Sequence, residues 1–294
     1  MSSRIVIVLA LALAPAAALA QGGATVGTII VAHGADSAWN AQVHAVARSV
    51  KTGGPVAVSF LMGPEAARTR FQETVASLER SGVREIVVVP LLISSYSGHY
   101  EQIRFVTGSI DTLSAQMLHH LHAAGIERAK TSTPLRLARA IDDSPDAARV
   151  LAQRALKLVA QPAEHALMMV GHGPNSPSDL AAWMSNLRRV ADHVRTAAGF
   201  RDVKVALVQD DAPAPVRQEA VLRLRELIEL QHQATGKPVV VVPVVISRGA
   251  LTTQRLPADL NGLPIMYTPE GLLPDLGLAR WVESRVQEAL GKAR

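Results

Sequence analysis

The 294-residue chain contains no cysteine. That excludes disulfides, thiolate metal centres and cysteine nucleophiles together. Any metal the protein handles must be met by His, Asp, Glu or Met. Aromatic residues are scarce too: four Phe, three Trp and three Tyr. Its cores must therefore be built from Val, Leu, Ile and Ala. There is no block of Lys and Arg interleaved with aromatics, and the net charge of +5 is spread along the chain, so nucleic-acid binding is not expected. The sequence has no G-x-S-x-G elbow, P-loop or H-E-x-x-H pattern, which removes the commonest routes to serine hydrolases, nucleotide hydrolases and zinc proteases. Beyond the first twenty residues, no apolar run is long enough to span a bilayer.

Those first twenty residues read as a cleavable signal peptide. Arg4 supplies a positive start, Ile5–Leu13 is a short apolar run, and Ala18-Leu19-Ala20 places small residues before Gln21. The mature protein is expected to begin at Gln21 and to lie in the periplasm without stable membrane insertion. Gly22-Gly23 is a flexible leader.

What the chain does have is internal repetition. Thr28-Ile29-Ile30-Val31-Ala32-His33-Gly34 returns as Leu167-Met168-Met169-Val170-Gly171-His172-Gly173. Val87-Val88-Val89-Pro90-Leu91-Leu92-Ile93-Ser94 returns as Val240-Val241-Val242-Pro243-Val244-Val245-Ile246-Ser247. A third echo pairs Thr133-Pro134 with Thr268-Pro269. Three echoes in one order imply two copies of a supersecondary unit. The units are expected at 21–160 and 164–294, with a polar break around Gln161-Pro162-Ala163-Glu164.

Strands and helices alternate in both copies. Strands are predicted at Gly27–Ala32, Pro55–Phe60, Glu85–Pro90 and Lys130–Thr133, then at His165–Val170, Val203–Val208, Lys237–Pro243 and Pro264–Tyr267. Helices are predicted over Ser37–Val50, Pro64–Ser81, Glu101–Ala124 and from Ser144 to Ala160. In the second copy they run over Ser178–Ala198, Val216–Thr235 and Leu276–Leu290. This is an α/β pattern: each repeat a four-stranded parallel sheet flanked by helices.

The copies differ after their third strand. Pro90 to Pro134 spans 44 residues, against 26 from Pro243 to Pro269. The longer segment holds Gly98-His99-Tyr100-Glu101; the shorter has Arg248-Gly249-Ala250-Leu251 and no histidine. His33 and His99 each follow a strand, and loops after parallel strands emerge at one sheet edge. Two imidazoles would then face one cleft. When neutral they suit Fe, Co, Ni or Zn, so binding is expected to weaken below the imidazole reference of about pH 6.5. His172 lacks a partner equivalent to His99 and reads as a relic or a backbone-bonded loop residue, with a second, weak metal site as the alternative. His119, His120 and His122 read as a solvated helix face.

The order strand-His33-Gly34, helix, Phe60-Leu61, helix ending at Gly82, Val87–Ser94, then Gly98-His99 and Glu101-Gln102-Ile103 resembles the sirohydrochlorin chelatase family. That family belongs to the class II tetrapyrrole chelatases, related to ferrochelatase. The resemblance covers almost the whole mature chain as two chelatase-like domains. It implies that His33 and His99 bind the incoming metal, a divalent Co, Fe or Ni ion taken as substrate, with no organic cofactor. It implies a tetrapyrrole such as sirohydrochlorin as the small-molecule partner. Metal insertion removes two pyrrole N–H protons, work suited to imidazole and carboxylate; His33, His99 and Glu101 are the candidate catalytic residues. Met62, Leu92, Tyr96 and Tyr100 are candidates to line the macrocycle cleft. Arg104, Arg248 and Arg255 are candidates to pair with macrocycle carboxylates. One departure stands out: the family commonly carries Glu after Phe-Leu, where this chain has Met62. The nearest acid, Glu65, reads as a first-turn helix carboxylate. That departure and the export signal sustain an alternative reading as a non-catalytic periplasmic binding or carrier protein for metal or tetrapyrrole.

Overall fold

A computed structural model describes residues 25–174 and 176–291. The segment expected to be a signal peptide, and Gly22-Gly23 after it, lie outside the described residues. The first repeat holds β1 (Val26–Ala32), α1 (Ser37–Ser49), β2 (Val56–Phe60), α2 (Phe71–Arg80), β3 (Glu85–Leu91), α3 (Gly98–Val106), α4 (Ala115–Ala123), β4 (Leu135–Leu137) and α5 (Pro145–Leu156). The second holds β5 (Ala166–Gly171), α6 (Pro177–Ala198), β6 (Asp202–Leu207), α7 (Ala214–Thr235), β7 (Val239–Val244), α8 (Leu256–Asp259), β8 (Ile265–Tyr267) and α9 (Gly277–Ala289). The strand orders are β2-β1-β3-β4 and β6-β5-β7-β8, all parallel. Strands β5 and β7 are buried throughout, and β1 and β3 at all but their first residue. This is why they read as unbroken apolar runs rather than alternating ones.

Two of the three echoes mark equivalent places. Val31 pairs with Pro90 in the first sheet and Val170 with Pro243 in the second. A proline is tolerated here because β4 and β8 pair only with the earlier part of their neighbours, up to Val88 and Val241; the missing N–H breaks no ladder. The third echo is a coincidence. The Pro134 carbonyl accepts from Ile86 N–H just before β4, and in the second sheet it is the Pro264 carbonyl that accepts from Val239. Pro269 follows β8 instead. The true comparison is 44 residues against the 21 from Pro243 to Pro264.

Three boundaries move from their expected places. The fourth strand begins after Pro134, because Thr131 is turned away to bond Glu79 and the Thr133 N–H. The helix expected from Pro64 starts only at Phe71, after a short 3-10 turn. The helix expected over Glu101–Ala124 is two. Gly108, at φ 79°, follows the end of α3, and Ser114 opens α4 by accepting from Met117 N–H. Helix α3 itself begins at Gly98, capped by Ser97, which places His99 in its first turn.

The last helix of each repeat crosses to the other. Helix α5 packs on α6, β7 and α9; α9 packs on β3 and α1. One apolar cluster therefore runs through both repeats, from Ile29 and Val87 to Leu167, Met169 and Trp281. A second cluster lies under α7, around Met168, Leu224 and Val241.

Candidate functional site

Both His-Gly pairs end a central strand, and the glycine has a steric cause. Gly34 has φ 86°, and a Cβ there would lie 2.2 Å from the Met62 carbonyl oxygen. Gly173 has φ 93° against the Gln209 backbone. Only glycine takes these turns without strain, and each turn aims the preceding histidine at a cleft of about 270 Å³ between the repeats.

The cleft is lined by His33, His99 and His172, by Trp39 and Trp183, and by Asp211. Leu92, Met117, Val245 and Ile246 add apolar wall. The His33 and His99 rings meet edge to face with centroids 4.6 Å apart. Asn40, buried in α1, braces the His33 loop: its Oδ1 accepts from Ala35 N–H at 2.9 Å.

Each of the three imidazoles is held in one tautomer. His33 Nδ1 lies 2.7 Å from the Gly34 carbonyl, and His172 Nδ1 2.8 Å from the Gly173 carbonyl. A carbonyl only accepts, so both Nδ1 atoms carry hydrogen. His99 Nδ1 lies 2.9 Å from Gln102 Oε1, and the Gln102 amide is fixed because its Nε2 donates to the Met117 carbonyl. In the neutral rings the lone pair therefore falls on Nε2, the arrangement that suits a metal ligand.

The histidines differ in charge. Burial and the neighbouring His33 push His99 down to about 4. Burial also lowers His33, with His172 adding to the effect. Both rings are neutral at neutral pH. Burial is the largest single influence on His172 and acts downward, but the Asp211 hydrogen bond, the Gly173 carbonyl and the charges of Asp211 and Asp210 together outweigh it, and its pKa is raised. His172 Nε2 lies 3.3 Å from Asp211 Oδ2 and 3.8 Å from Asp210 Oδ2. Asp210 is itself met by Arg217 Nε at 3.2 Å and Arg255 Nη2 at 2.6 Å.

The other residues singled out in the sequence lie elsewhere. Glu101 pairs with Arg104 at 2.8 Å, one turn apart on α3, and borders a separate hollow with Thr112 and Ser114. It does not line the histidine cleft, and neither does Arg104. Tyr96 is exposed; its carbonyl accepts from Trp183 Nε1 at 2.6 Å. Tyr100 donates to the Ala138 carbonyl. Met62 packs half-buried against the core, its N–H on the His33 carbonyl. Arg248 pairs with Glu270 at 3.4 Å and borders a groove shared with Trp39 and Asp36 beside the cleft. Glu65 stands at the N-cap of the short 3-10 turn rather than opening α2, and His44 and Asn40 bond its carboxylate. The reading of His172 as a loop residue bonded to backbone accounts for its Nδ1 alone, since its Nε2 faces the same cleft as His33.

Residues 27–158 match the CbiX family model. That match places the first repeat, 132 of the chain's 294 residues, in the CbiX family. The match spans the first repeat, and solved structures extend the chelatase fold to the second. SirB from Bacillus subtilis with Fe3+ has a TM-score of 0.62 at 14% identity, over 90% of this chain and 95% of that one. The multi-domain DR2241 from Deinococcus radiodurans, described as similar to chelatases, has a TM-score of 0.56 at 18% identity, over 90% of this chain and 55% of that one. No curated protein matches the sequence.

The tryptophans, His172 and Asp211 were not among the residues singled out for the site. Trp39 stands six residues after His33, inside the first turn of α1, and its nearness to a strand end was a usable signal. Trp183 and Asp211 come from the second repeat, and no spacing in the sequence places them beside His99.

Proposed function

We propose that this protein inserts a divalent metal ion, Co²⁺, Fe²⁺ or Ni²⁺, into a tetrapyrrole such as sirohydrochlorin, and that it does so in the periplasm. The observation that carries the reading is the pair of neutral imidazoles, His33 and His99, with rings 4.6 Å apart and both Nε2 lone pairs left free. They hold the incoming ion. As the metal bonds to the macrocycle, two pyrrole N–H protons must leave, and the His33 and His99 Nε2 atoms, freed as the ion passes to the ring nitrogens, are their first acceptors before water carries them off. Trp39 and Trp183 add apolar lining to the cleft for a macrocycle. At about 270 Å³ the cleft falls just below the usual range of roughly 300–1,000 Å³ for small-molecule pockets, so binding a whole macrocycle requires its walls to part. Arg248 at the rim meets a peripheral carboxylate on leaving Glu270.

A second reading is a carrier that binds metal or tetrapyrrole without catalysis. Met62 favours it, since a thioether at that position takes no proton. Incubation with sirohydrochlorin and Co²⁺, followed by absorption, separates the two. A chelatase accelerates the spectral change over the protein-free control, and His33→Ala and His99→Ala each slow it at least about 100-fold, the scale of losing a proton acceptor. A wild-type rate equal to the control leaves only the carrier.

A further inference from the structure

The repeats are built alike up to the cleft edge and then diverge. After β2, Met62 N–H donates to the His33 carbonyl at 2.8 Å; after β6, Asp210 N–H donates to the His172 carbonyl at 3.2 Å. Asp210 thus stands where Met62 stands. One extra residue, Gln209, is absorbed by its φ of 52°. The first repeat has a methionine at this position, its side chain packed against the core. The second places two consecutive carboxylates.

Among the described residues, His172, Asp210 and Asp211 are the set of three whose ligand atoms lie within 4.8 Å of one another. His172 therefore completes no such triple with His33 and His99, and belongs to a separate point in the cleft. Two further observations distinguish this cluster from a solvated charge patch. The His172 Nδ1 is engaged by the Gly173 carbonyl, so its ring can meet a ligand only through Nε2. The Asp210 side chain is fully buried, and its Oδ2 has no hydrogen bond: Arg255 Nη2 is close, at 2.6 Å, but out of line. Arg217 clamps the opposite oxygen and also Asp259, fixing the carboxylate. Asp211 is more than half exposed and opens to the cleft.

We propose that the second repeat carries its own divalent-cation site, formed by His172 Nε2 and the Asp211 carboxylate with Asp210 Oδ2 as third donor, on the wall facing His33 and His99. One imidazole with carboxylate oxygens suits Co²⁺, Zn²⁺, Ni²⁺ or Fe²⁺. Arg255 is half exposed, on the π-helical turn Leu251–Arg255, and a cation displaces its guanidinium from Asp210. The cleft then holds one ion at the paired imidazoles and another at the carboxylates.

The test is titration calorimetry of the purified protein with Co²⁺. The wild type takes up two equivalents. His172→Ala and Asp211→Asn each remove one, or weaken it at least about tenfold, and leave the other unchanged. The double variant His33→Ala/His99→Ala removes the complementary equivalent. A single equivalent untouched by His172→Ala and Asp211→Asn overturns the second site and leaves the His33–His99 reading standing. A single equivalent lost in both sets of variants means one shared ion and also overturns it. If Asp211→Asn loses one equivalent while His33→Ala/His99→Ala loses none, metal binding at the paired imidazoles fails and the second-repeat site stands. Asp211→Asn is nearly isosteric at an exposed position, so a melt matching wild type guards against unfolding; loss with His172→Ala but not with Asp211→Asn also counts against the site.

Discussion

At the scale of single residues, the geometry decides protonation before any metal arrives. Three Nδ1–H donors, two to backbone carbonyls and one to Gln102, leave three Nε2 atoms at the cleft. The consequence for pH differs from what composition suggests. An isolated imidazole loses metal below about pH 6.5, but His99 protonates only near 4, so its metal affinity should persist at pH 5 and fail towards pH 4. Stability moves with it. Between about 6.5 and 4 the unfolded chain binds a proton at residue 99 that the folded chain refuses, so folding weakens as pH falls through that window and is unaffected above it. The full effect is of the order of 3 kcal/mol. Denaturant melts from pH 4 to 8 should show this slope in wild type and a shallower one in His99→Gln. His172 acts oppositely: its raised pKa contributes stability at low pH that is lost as pH rises through the folded value.

At the scale of elements, the loop between β3 and α3 sets the position of His99 in the first turn of α3, and its anchor is Asp142. This carboxylate is fully buried. It accepts from Ser95 N–H at 2.7 Å, Ser95 Oγ at 2.8 Å and Asn186 Nδ2 at 3.2 Å. It therefore ties the loop of the first repeat to α6 of the second. Asp142→Ala leaves these donors unpaired and puts a Cβ-bearing apolar residue at φ 50°. The expected cost is about 2–4 kcal/mol in a denaturant melt, with Co²⁺ affinity at the His33–His99 pair reduced because His99 loses its fixed position. Asp142→Asn keeps an acceptor and tolerates a positive φ, so its loss should be smaller. Equal losses in the two variants would show that the carboxylate network does not hold the loop.

At the scale of the molecule, the exchange of α5 and α9 makes the repeats one folding unit. Helix α5 is buried through Ala147, Ala148, Val150, Leu151, Ala152 and Ala155 against elements of the other repeat. The apolar cluster that joins the sheets has no seam at residues 160–164. Thermal and chemical unfolding should each follow one transition, with fluorescence and circular dichroism coincident. A fragment ending at residue 160 should fail to fold alone, because its last helix keeps an apolar face without a partner. Two resolved transitions, or a cooperatively folding fragment, would show that the exchange contributes little.

Much of this was legible in the chain itself. Buried central strands must be apolar along their length, so Ile29–Ala32 and Val87–Val89 announced themselves, and the His-Gly repeats followed from the steric demand for glycine after them. The two histidines of the first repeat could be placed at one sheet edge from topology alone. Short range also had its failures. The Thr-Pro echo was accidental, and the helix break at Gly108 was hidden in a continuous apolar-periodic stretch. What only the tertiary structure decided was everything that crosses between repeats. His172 and Asp211 reach the histidine cleft because two like sheets face each other, and Glu101 leaves it because α3 starts three residues early and turns that carboxylate towards Arg104. Local sequence specifies strands and caps through nearest-neighbour sterics; which side chains share one volume of solvent is set by packing between segments more than a hundred residues apart.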